Sequence, residues 1–163
     1  PYAYGNAWFV DDIKYVNNAN EELDAVGTIN LRHCAVADKQ FADVLQQAVL
    51  QDSTSIATLT AYAPNKLTYE VNSDKGGVLV FSEIYYPGWT ATIDNEEATL
   101  GRVNYILRAV QVKPGKHTIV LSFDPQSVKI TESIAYTAYI ILAVVLVLIV
   151  FMAYRRKKTN CTE

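Results

Sequence analysis

Residues 118–123 read TIVLSF, and they show the clearest alternation of apolar and polar side chains in the chain. Ile119, Leu121 and Phe123 fall on one face of an extended strand, because successive side chains of a strand point to opposite faces. Residues 67–71 repeat the pattern, with leucine, tyrosine and valine at alternate positions. The pattern predicts a sheet with one face packed inward and the other in water.

Other runs of β-forming residues precede this strand from residue 56 onward, and turn-forming residues separate them. Proline, glycine, asparagine and aspartate supply the fixed or positive φ angles of a chain reversal. Short strands at this spacing are typical of a β-sandwich or barrel, and we expect a sandwich. The predicted strands are 56–62, 66–71, 77–84, 89–93, 105–112 and 117–123, with turns at 64–65, 74–77, 87–88, 94–95 and 114–115.

The first 54 residues predict a mixture of elements. Residues 7–16 indicate a strand, 20–26 a short helix, and 34–37 a strand that enters the same sheet. Residues 38–50 indicate a longer helix, for which Asp38 is the expected N-cap. The predicted fold class is therefore mainly β, a β-sandwich with short helices near its N-terminus.

Residues 134–154 form an uncharged run of 21 residues, of which 12 are isoleucine, leucine, valine or phenylalanine. A helix of that length spans roughly 31 Å, which matches the roughly 30 Å hydrocarbon core of a bilayer. Tyrosines near both ends of the run suit the membrane interfaces. We therefore expect one C-terminal transmembrane helix at 132–154, with the lipid bilayer as its partner.

Four basic residues at 155–158 follow the apolar run directly. The positive-inside rule places this basic tail, residues 155–163, in the cytoplasm. Residues 1–131 then form an extracytoplasmic domain, periplasmic or extracellular. The chain begins with Pro1 and shows no signal peptide, so we expect a C-terminal piece of a longer protein that supplies the export signal.

Charge and motif content argue against several classes of ligand. The residues before the tail carry 10 basic and 16 acidic side chains, so nucleic-acid binding is not expected. His33 and His117 have no second ligand at metal-binding spacing, and no phosphate-binding or dinucleotide-binding loop occurs. We therefore expect no metal site and no cofactor.

The most distinctive segment, EIYYPGWTATID at 83–94, places two tyrosines and a tryptophan around a Pro-Gly turn. Tyr85, Tyr86 and Trp89 could form an aromatic platform on which sugar rings stack. The alternative is structural: Trp89 fills the core of the sandwich, and the tyrosines cover a sheet edge. Burial of Trp89 would favour the structural alternative.

Several short motifs stand in order along the chain: GNAWFV at 5–10, YYPGW at 85–89, ATID at 91–94, VNY at 103–105, LRAV at 107–110 and PGKH at 114–117. Together with the closing apolar helix, these motifs resemble the C-terminal end of YfhO-family bacterial membrane proteins. The resemblance covers essentially the whole chain.

The resemblance implies a protein with many upstream transmembrane helices, similar to GT-C-type glycosyltransferases that use polyprenyl-phosphate-linked sugars outside the cytoplasmic membrane. Family members are linked to the glycosylation of cell-envelope polymers. The implied partners are the upstream helices and an envelope glycan or polyprenyl-phosphate sugar, and the implied location is the bacterial inner membrane. Catalysis of that type is expected to use acidic loops near the first helices, so no catalytic residue is assigned here.

Two functional classes follow. In the first, the chain is the accessory outer domain and membrane anchor of such a glycosyltransferase. Asn104 and Arg108 then join the three aromatic residues as glycan-binding candidates that hydrogen-bond the sugar. In the second, the domain is a structural or protein-interaction module without a glycan ligand. A hydrolase in the outer domain is not expected, because no nucleophile or acid/base pair is recognisable.

Overall fold

The computed structural model describes residues 4–46, 48–49 and 55–159, and the chain divides into two compact units, Pro1–Asp124 and Pro125–Glu163. Strands dominate the first unit, and one helix makes up the second. In chain order the elements are β1 Ala7–Val10, β2 Asp12–Val16, α1 Ala19–Val26, β3 Cys34–Asp38, a 3-10 helix Lys39–Phe41, β4 Ile56–Ala63, β5 Lys66–Ser73, β6 Gly77–Ile84, β7 Trp89–Ile93, β8 Glu96–Ala98, β9 Gly101–Val103, β10 Leu107–Val112, β11 Gly115–Phe123 and α2 Gln126–Thr159.

Two antiparallel sheets of the first unit pack face to face. One has the strand order β1-β6-β10-β9, and the other has the order β4-β5-β11-β7-β8. Their inner faces share one apolar core, in which the rings of Tyr69 and Phe81 meet edge to face at 5.0 Å between centroids. Ile119 and Leu121 are fully buried in this core, as the alternation of residues 118–123 predicts. The predicted mainly β fold is confirmed.

The strand predicted at 7–16 is two strands, and the prediction that 34–37 enters the same sheet is wrong. β1 pairs with β6, whereas β2 pairs in parallel with β3 in a separate two-stranded sheet. The chain changes direction at Asp11, because the backbone N–H groups of Asp11 and Asp12 both donate to the carbonyl oxygen of His33, at 2.7 and 3.1 Å. This pair of bonds draws the chain away from β6 and onto β3.

The longer helix predicted at 38–50 is also wrong. Asp38 ends β3 and caps only the short 3-10 helix, where its carboxylate accepts a hydrogen bond from the Gln40 N–H at 2.9 Å. Leu45 is fully buried, and its carbonyl oxygen accepts a hydrogen bond from the Tyr15 hydroxyl. A continuing helix would need that carbonyl for its own backbone ladder. Residues 47 and 50 of the predicted helix lie outside the described residues.

The strand predicted at 105–112 begins at Leu107, because Asn104 and Tyr105 have positive φ angles of 51° and 71°. Together with Ile106, these two residues form the turn between β9 and β10. The predicted turn at 94–95 joins β7 to β8, and its φ angles of 54° and 70° suit a type I′ hairpin. The strands β8 and β9 are not among the predicted strands, since each has only three residues.

The short helix predicted at 20–26 is confirmed as α1, and it carries a buried carboxylate. The Asn18 side chain caps the helix by accepting from the Glu21 N–H. Glu22 is fully buried, and its two oxygens accept hydrogen bonds from Arg102 Nη2 and from the Tyr105 N–H, each at 2.8 Å. Glu22 therefore joins α1 to the hairpin of β9 and β10.

In the described part of the second unit, Pro125 is followed by α2, which has 34 residues. Residues Ile130–Met152 are long and apolar enough to cross a membrane by length and composition, and their large apolar side chains are exposed. The predicted span 132–154 lies inside α2. The helix backbone continues through residues 155–159 of the predicted tail, while residues 160–163 lie outside the described residues.

Candidate functional site

Tyr86 and Trp89 lie on either side of the Pro87-Gly88 turn, at the start of β7. The turn is possible because Gly88 has a φ angle of 99°, and its carbonyl oxygen accepts from the Asp124 N–H at 3.0 Å. Tyr86 is 61% exposed and Trp89 is partly buried. The ring of Phe123 lies 5.4 Å from that of Trp89 and 6.3 Å from that of Tyr86. The two candidate aromatic residues thus meet over the end of β11.

Arg108 on β10 lies beneath Trp89, in the interior of the sandwich. Its guanidinium carbon is 4.0 Å from the indole centroid, and the residue is only 1% exposed. Its Nη2 lies 3.5 Å from Glu83 Oε2, while Nε and Nη1 have no hydrogen-bond partner among the described residues. Burial lowers the pKa of Arg108, and the negative charge of Glu83 opposes that shift.

Tyr69 completes this group. Its hydroxyl is buried without a hydrogen-bond partner in the described part of the chain. Burial and the charge of Glu83 raise the pKa of Tyr69 to about 12, although Arg108 acts in the opposite direction. The Trp89 cluster consists of Tyr86, Trp89, Arg108 and Phe123 with Glu83 and Tyr69. The cluster combines a partly exposed aromatic surface with several hydrogen-bond donors beneath it.

Tyr85 and Asn104 lie apart from the Trp89 cluster. The ring of Tyr85 packs edge to face on Phe41 at 5.8 Å. Asn104 is buried, and it holds β3 at both backbone groups of Val36: its Oδ1 accepts from the Val36 N–H at 2.9 Å, and its own N–H donates to the Val36 carbonyl at 2.7 Å. Of the five candidate residues, the structure therefore brings together Tyr86, Trp89 and Arg108.

A second site, formed by residues outside the sequence-predicted set, lies beside β1. Tyr4, Trp8, Asp11, Arg32 and His33 line a cleft of about 580 Å³, named the Trp8 cleft here. The parallel pairing of β2 with β3 brings these residues together, and nothing in their spacing along the chain indicates it. The exposed pair of Arg32 and His33 next to an aromatic cleft is recognisable only once the register is known.

A histidine and a carboxylate also pair near the start of β11, whereas Phe123 of the Trp89 cluster lies at the end of that strand. His117 Nδ1 lies 2.6 Å from Asp94 Oδ2, and the Thr118 N–H donates to Asp94 Oδ1 at 2.8 Å. These two bonds, that of His117 foremost, hold the pKa of the Asp94 carboxyl below its ordinary value. A cleft of about 400 Å³ lies beside the pair, and Glu96 and Lys113 also line it.

The hydrogen bond between Asp94 and His117 predicts that the stability of the fold depends on pH. Because the folded state lowers the pKa of Asp94, the pair stabilises the fold above the ordinary pKa of about 4, and this contribution disappears as the pH falls below it. Asp94→Asn keeps a residue that tolerates the positive φ angle at this position. We expect this variant to unfold at a lower urea concentration than the unsubstituted chain at pH 7. The gap between the two urea midpoints should disappear in acid. A gap that stays constant down to acidic pH would contradict the assignment.

No group of three or more histidine, cysteine, aspartate or glutamate side chains within reach of one metal ion occurs among residues 4–46, 48–49 and 55–159. The side chains of the Trp89 cluster and of the Trp8 cleft offer aromatic stacking, hydrogen bonding and ion pairing. These are the contacts by which concave protein surfaces hold polar organic ligands.

Comparison with known proteins gives two matches. A family described as "Bacterial membrane protein YfhO" matches residues 24–135. An uncharacterized protein YfhO of Bacillus subtilis strain 168 is 27% identical over 132 residues, which cover 81% of this chain and 14% of the relative. The chain thus spans a small part of that relative's length. No solved structure matches the chain.

Proposed function

This chain belongs to the YfhO family of bacterial membrane proteins, and from that premise we propose that it is the outer accessory domain and membrane anchor of a longer membrane glycosyltransferase. The parent protein would transfer sugar from a polyprenyl-phosphate carrier to glycans or polymers of the cell envelope. The apolar helix α2 supports the anchoring role, because its 23-residue span suits a bilayer. This chain covers 14% of the Bacillus subtilis relative, and under this proposal the transferase lies in the remaining part of the longer protein.

The proposed task of the outer domain is to hold the acceptor glycan. The Trp89 cluster supports this task, because the exposed ring of Tyr86 and the free part of the Trp89 ring form an apolar surface with polar groups beneath it. Arg108 is a positioning residue, since its guanidinium stacks on Trp89 and is itself buried. Tyr86 and Trp89 are the proposed contacts of the glycan.

The test is binding of envelope glycans by the full chain in lipid nanodiscs, measured on a glycan array. Tyr86→Ala should weaken binding about tenfold, because it removes an exposed stacking surface worth about 1 kcal/mol or more. Tyr62→Ala is the matched control, since Tyr62 is 71% exposed on β4 and has no ring contact with the cluster among the described residues. If the well-folded chain bound no envelope glycan, the proposal would be wrong.

A structural or protein-interaction module without a glycan ligand is the second candidate. One observation favours it: Arg108 covers one face of the Trp89 indole at 4.0 Å, so that face is not open to a sugar. Under this alternative, Tyr86→Ala and Tyr62→Ala behave alike on the array, and the function of the parent protein resides outside this chain.

The proposed topology has its own test. The outer domain and the basic tail should lie on opposite sides of the bacterial inner membrane, with the tail in the cytoplasm. In a Cys34→Ser background, a membrane-impermeant maleimide should label Glu97→Cys in intact spheroplasts, because Glu97 is exposed on β8. Cys161 of the tail should react only after permeabilisation. Labelling of Cys161 in intact spheroplasts would reverse the proposed orientation.

A further inference from the structure

The Trp8 cleft contains an aromatic corner formed by Tyr4 and Trp8. The rings of Tyr4 and Trp8 lie 5.3 Å apart with a tilt of 56° between their planes. The indole is fixed, because its Nε1 donates to the carbonyl oxygen of Leu31 at 3.2 Å. Tyr4 is 39% exposed, so the corner presents an accessible apolar surface. Two tilted rings of this kind can contact a sugar ring from two sides.

Asp11 and His33 form the polar wall of the cleft. His33 Nδ1 lies 2.5 Å from Asp11 Oδ2, and the His33 carbonyl oxygen accepts from the backbone N–H groups of Asp11 and Asp12. The His33 side chain is nevertheless 60% exposed. In the neutral ring, donation from Nδ1 to Asp11 leaves Nε2 as an acceptor for a hydroxyl group. The wall thus offers a fixed hydrogen-bonding edge next to the aromatic corner.

Arg32 brings a positive charge to the cleft, which the Asp11 carboxylate also lines. Its guanidinium carbon lies 5.7 Å from the centroid of the Tyr4 ring, and no carboxylate lies within ion-pair distance of it in the described part of the chain. This exposed cation stands in a chain whose residues before the tail carry more acidic than basic side chains. A guanidinium recognises carboxylate and phosphate groups by paired hydrogen bonds.

We propose that the Trp8 cleft is a second saccharide site, which binds a sugar residue that carries a carboxylate or a phosphate. Tyr4 and Trp8 contact the sugar ring, His33 accepts a hydroxyl, and Arg32 binds the anionic group. The volume of about 580 Å³ accommodates a ligand of one or two sugar rings. This site stands apart from the proposed function, because none of its residues belongs to the Trp89 cluster.

The test uses the full chain in nanodiscs, labelled with 5-fluorotryptophan and followed by fluorine NMR. Trp8 and Trp89 are the two tryptophans of the chain, so Trp8→Phe assigns both resonances. The probes are methyl β-D-glucuronide and glucose 6-phosphate, with methyl β-D-glucoside as the uncharged match. We expect at least one of the two acidic probes to shift the Trp8 resonance, and to bind with a Kd about tenfold lower than that of the glucoside. The two acidic probes distinguish carboxylate from phosphate recognition.

Arg32→Gln should abolish the preference for acidic probes, so that the glucuronide, glucose 6-phosphate and the glucoside bind with similar Kd. Lys14→Gln is the matched control, because it removes an exposed positive charge on β2 away from the cleft and should keep the preference. A Trp8 resonance that responds to no probe, or a preference that survives Arg32→Gln, would overturn the proposal. An acidic tripeptide that shifts Trp8 as strongly as the sugars would overturn the saccharide assignment. The Trp89 resonance reports the other site separately.

Discussion

Arg108→Ala is expected to lower the free energy of unfolding of the β-sandwich by about 3 kcal/mol. The substitution removes a side chain that is 1% exposed and leaves a cavity under the indole of Trp89. Urea unfolding of the detergent-solubilised chain, followed by tryptophan fluorescence, measures the change. Fluorescence is a suitable readout because the guanidinium lies 4.0 Å from the indole centroid.

Arg108→Met separates packing from charge at the same position. Methionine fills a similar volume, and two guanidinium nitrogens of Arg108 lack hydrogen-bond partners among the described residues, so the charged group contributes little net stability. We expect this variant to remain within about 1 kcal/mol of the parent. A methionine variant as unstable as the alanine variant would show that the polar contacts of Arg108 hold the fold.

Glu22→Ala is expected to lower the free energy of unfolding by about 3 to 5 kcal/mol. Glu22 is fully buried, and its removal leaves Arg102 and the Tyr105 N–H without their acceptor. The α1 helix then loses its link to the hairpin of β9 and β10. The measurement is the same urea titration, since Trp8 and Trp89 both lie in the β-sandwich, on β1 and β7.

Asp24→Ala is the matched control for Glu22→Ala, because Asp24 is an exposed carboxylate on the same helix. Substitutions at such surface positions change stability little. Equal losses for the two variants would show that helix α1 is sensitive to any lost charge, and that the buried contacts of Glu22 are unimportant.

Local patterns in the sequence predict the sandwich strands well. The alternation at residues 118–123 places Ile119 and Leu121 in the core, and the turn residues at 94–95 predict the reversal that the structure shows. The errors arise where distant residues decide the structure. The Tyr15 hydroxyl donates to the Leu45 carbonyl, which the predicted helix would need for its own backbone. The His33 carbonyl accepts from the N–H groups of Asp11 and Asp12, so β1 does not continue past Val10.

The candidate sites show the same limit. The segment around the Pro87-Gly88 turn identifies Tyr86 and Trp89, because local sequence places them together. The partner beneath Trp89 is on another strand, and Asn104 holds β3 through contacts with Val36. The Trp8 cleft depends on the register between β2 and β3, which no local pattern contains. A single sequence therefore predicts the aromatic turn and misses the sites formed by long-range pairing.

The position of β11 has a consequence for biogenesis. β11 is the last strand among the described residues, yet it lies inside its sheet, where it joins the hairpin of β4 and β5 to the hairpin of β7 and β8. Until residues 115–123 have left the ribosome, β5 and β7 each expose an unpaired edge. The sheet therefore closes late in synthesis, just before α2 emerges, and nascent chains that stall earlier should be substrates for chaperones or proteases.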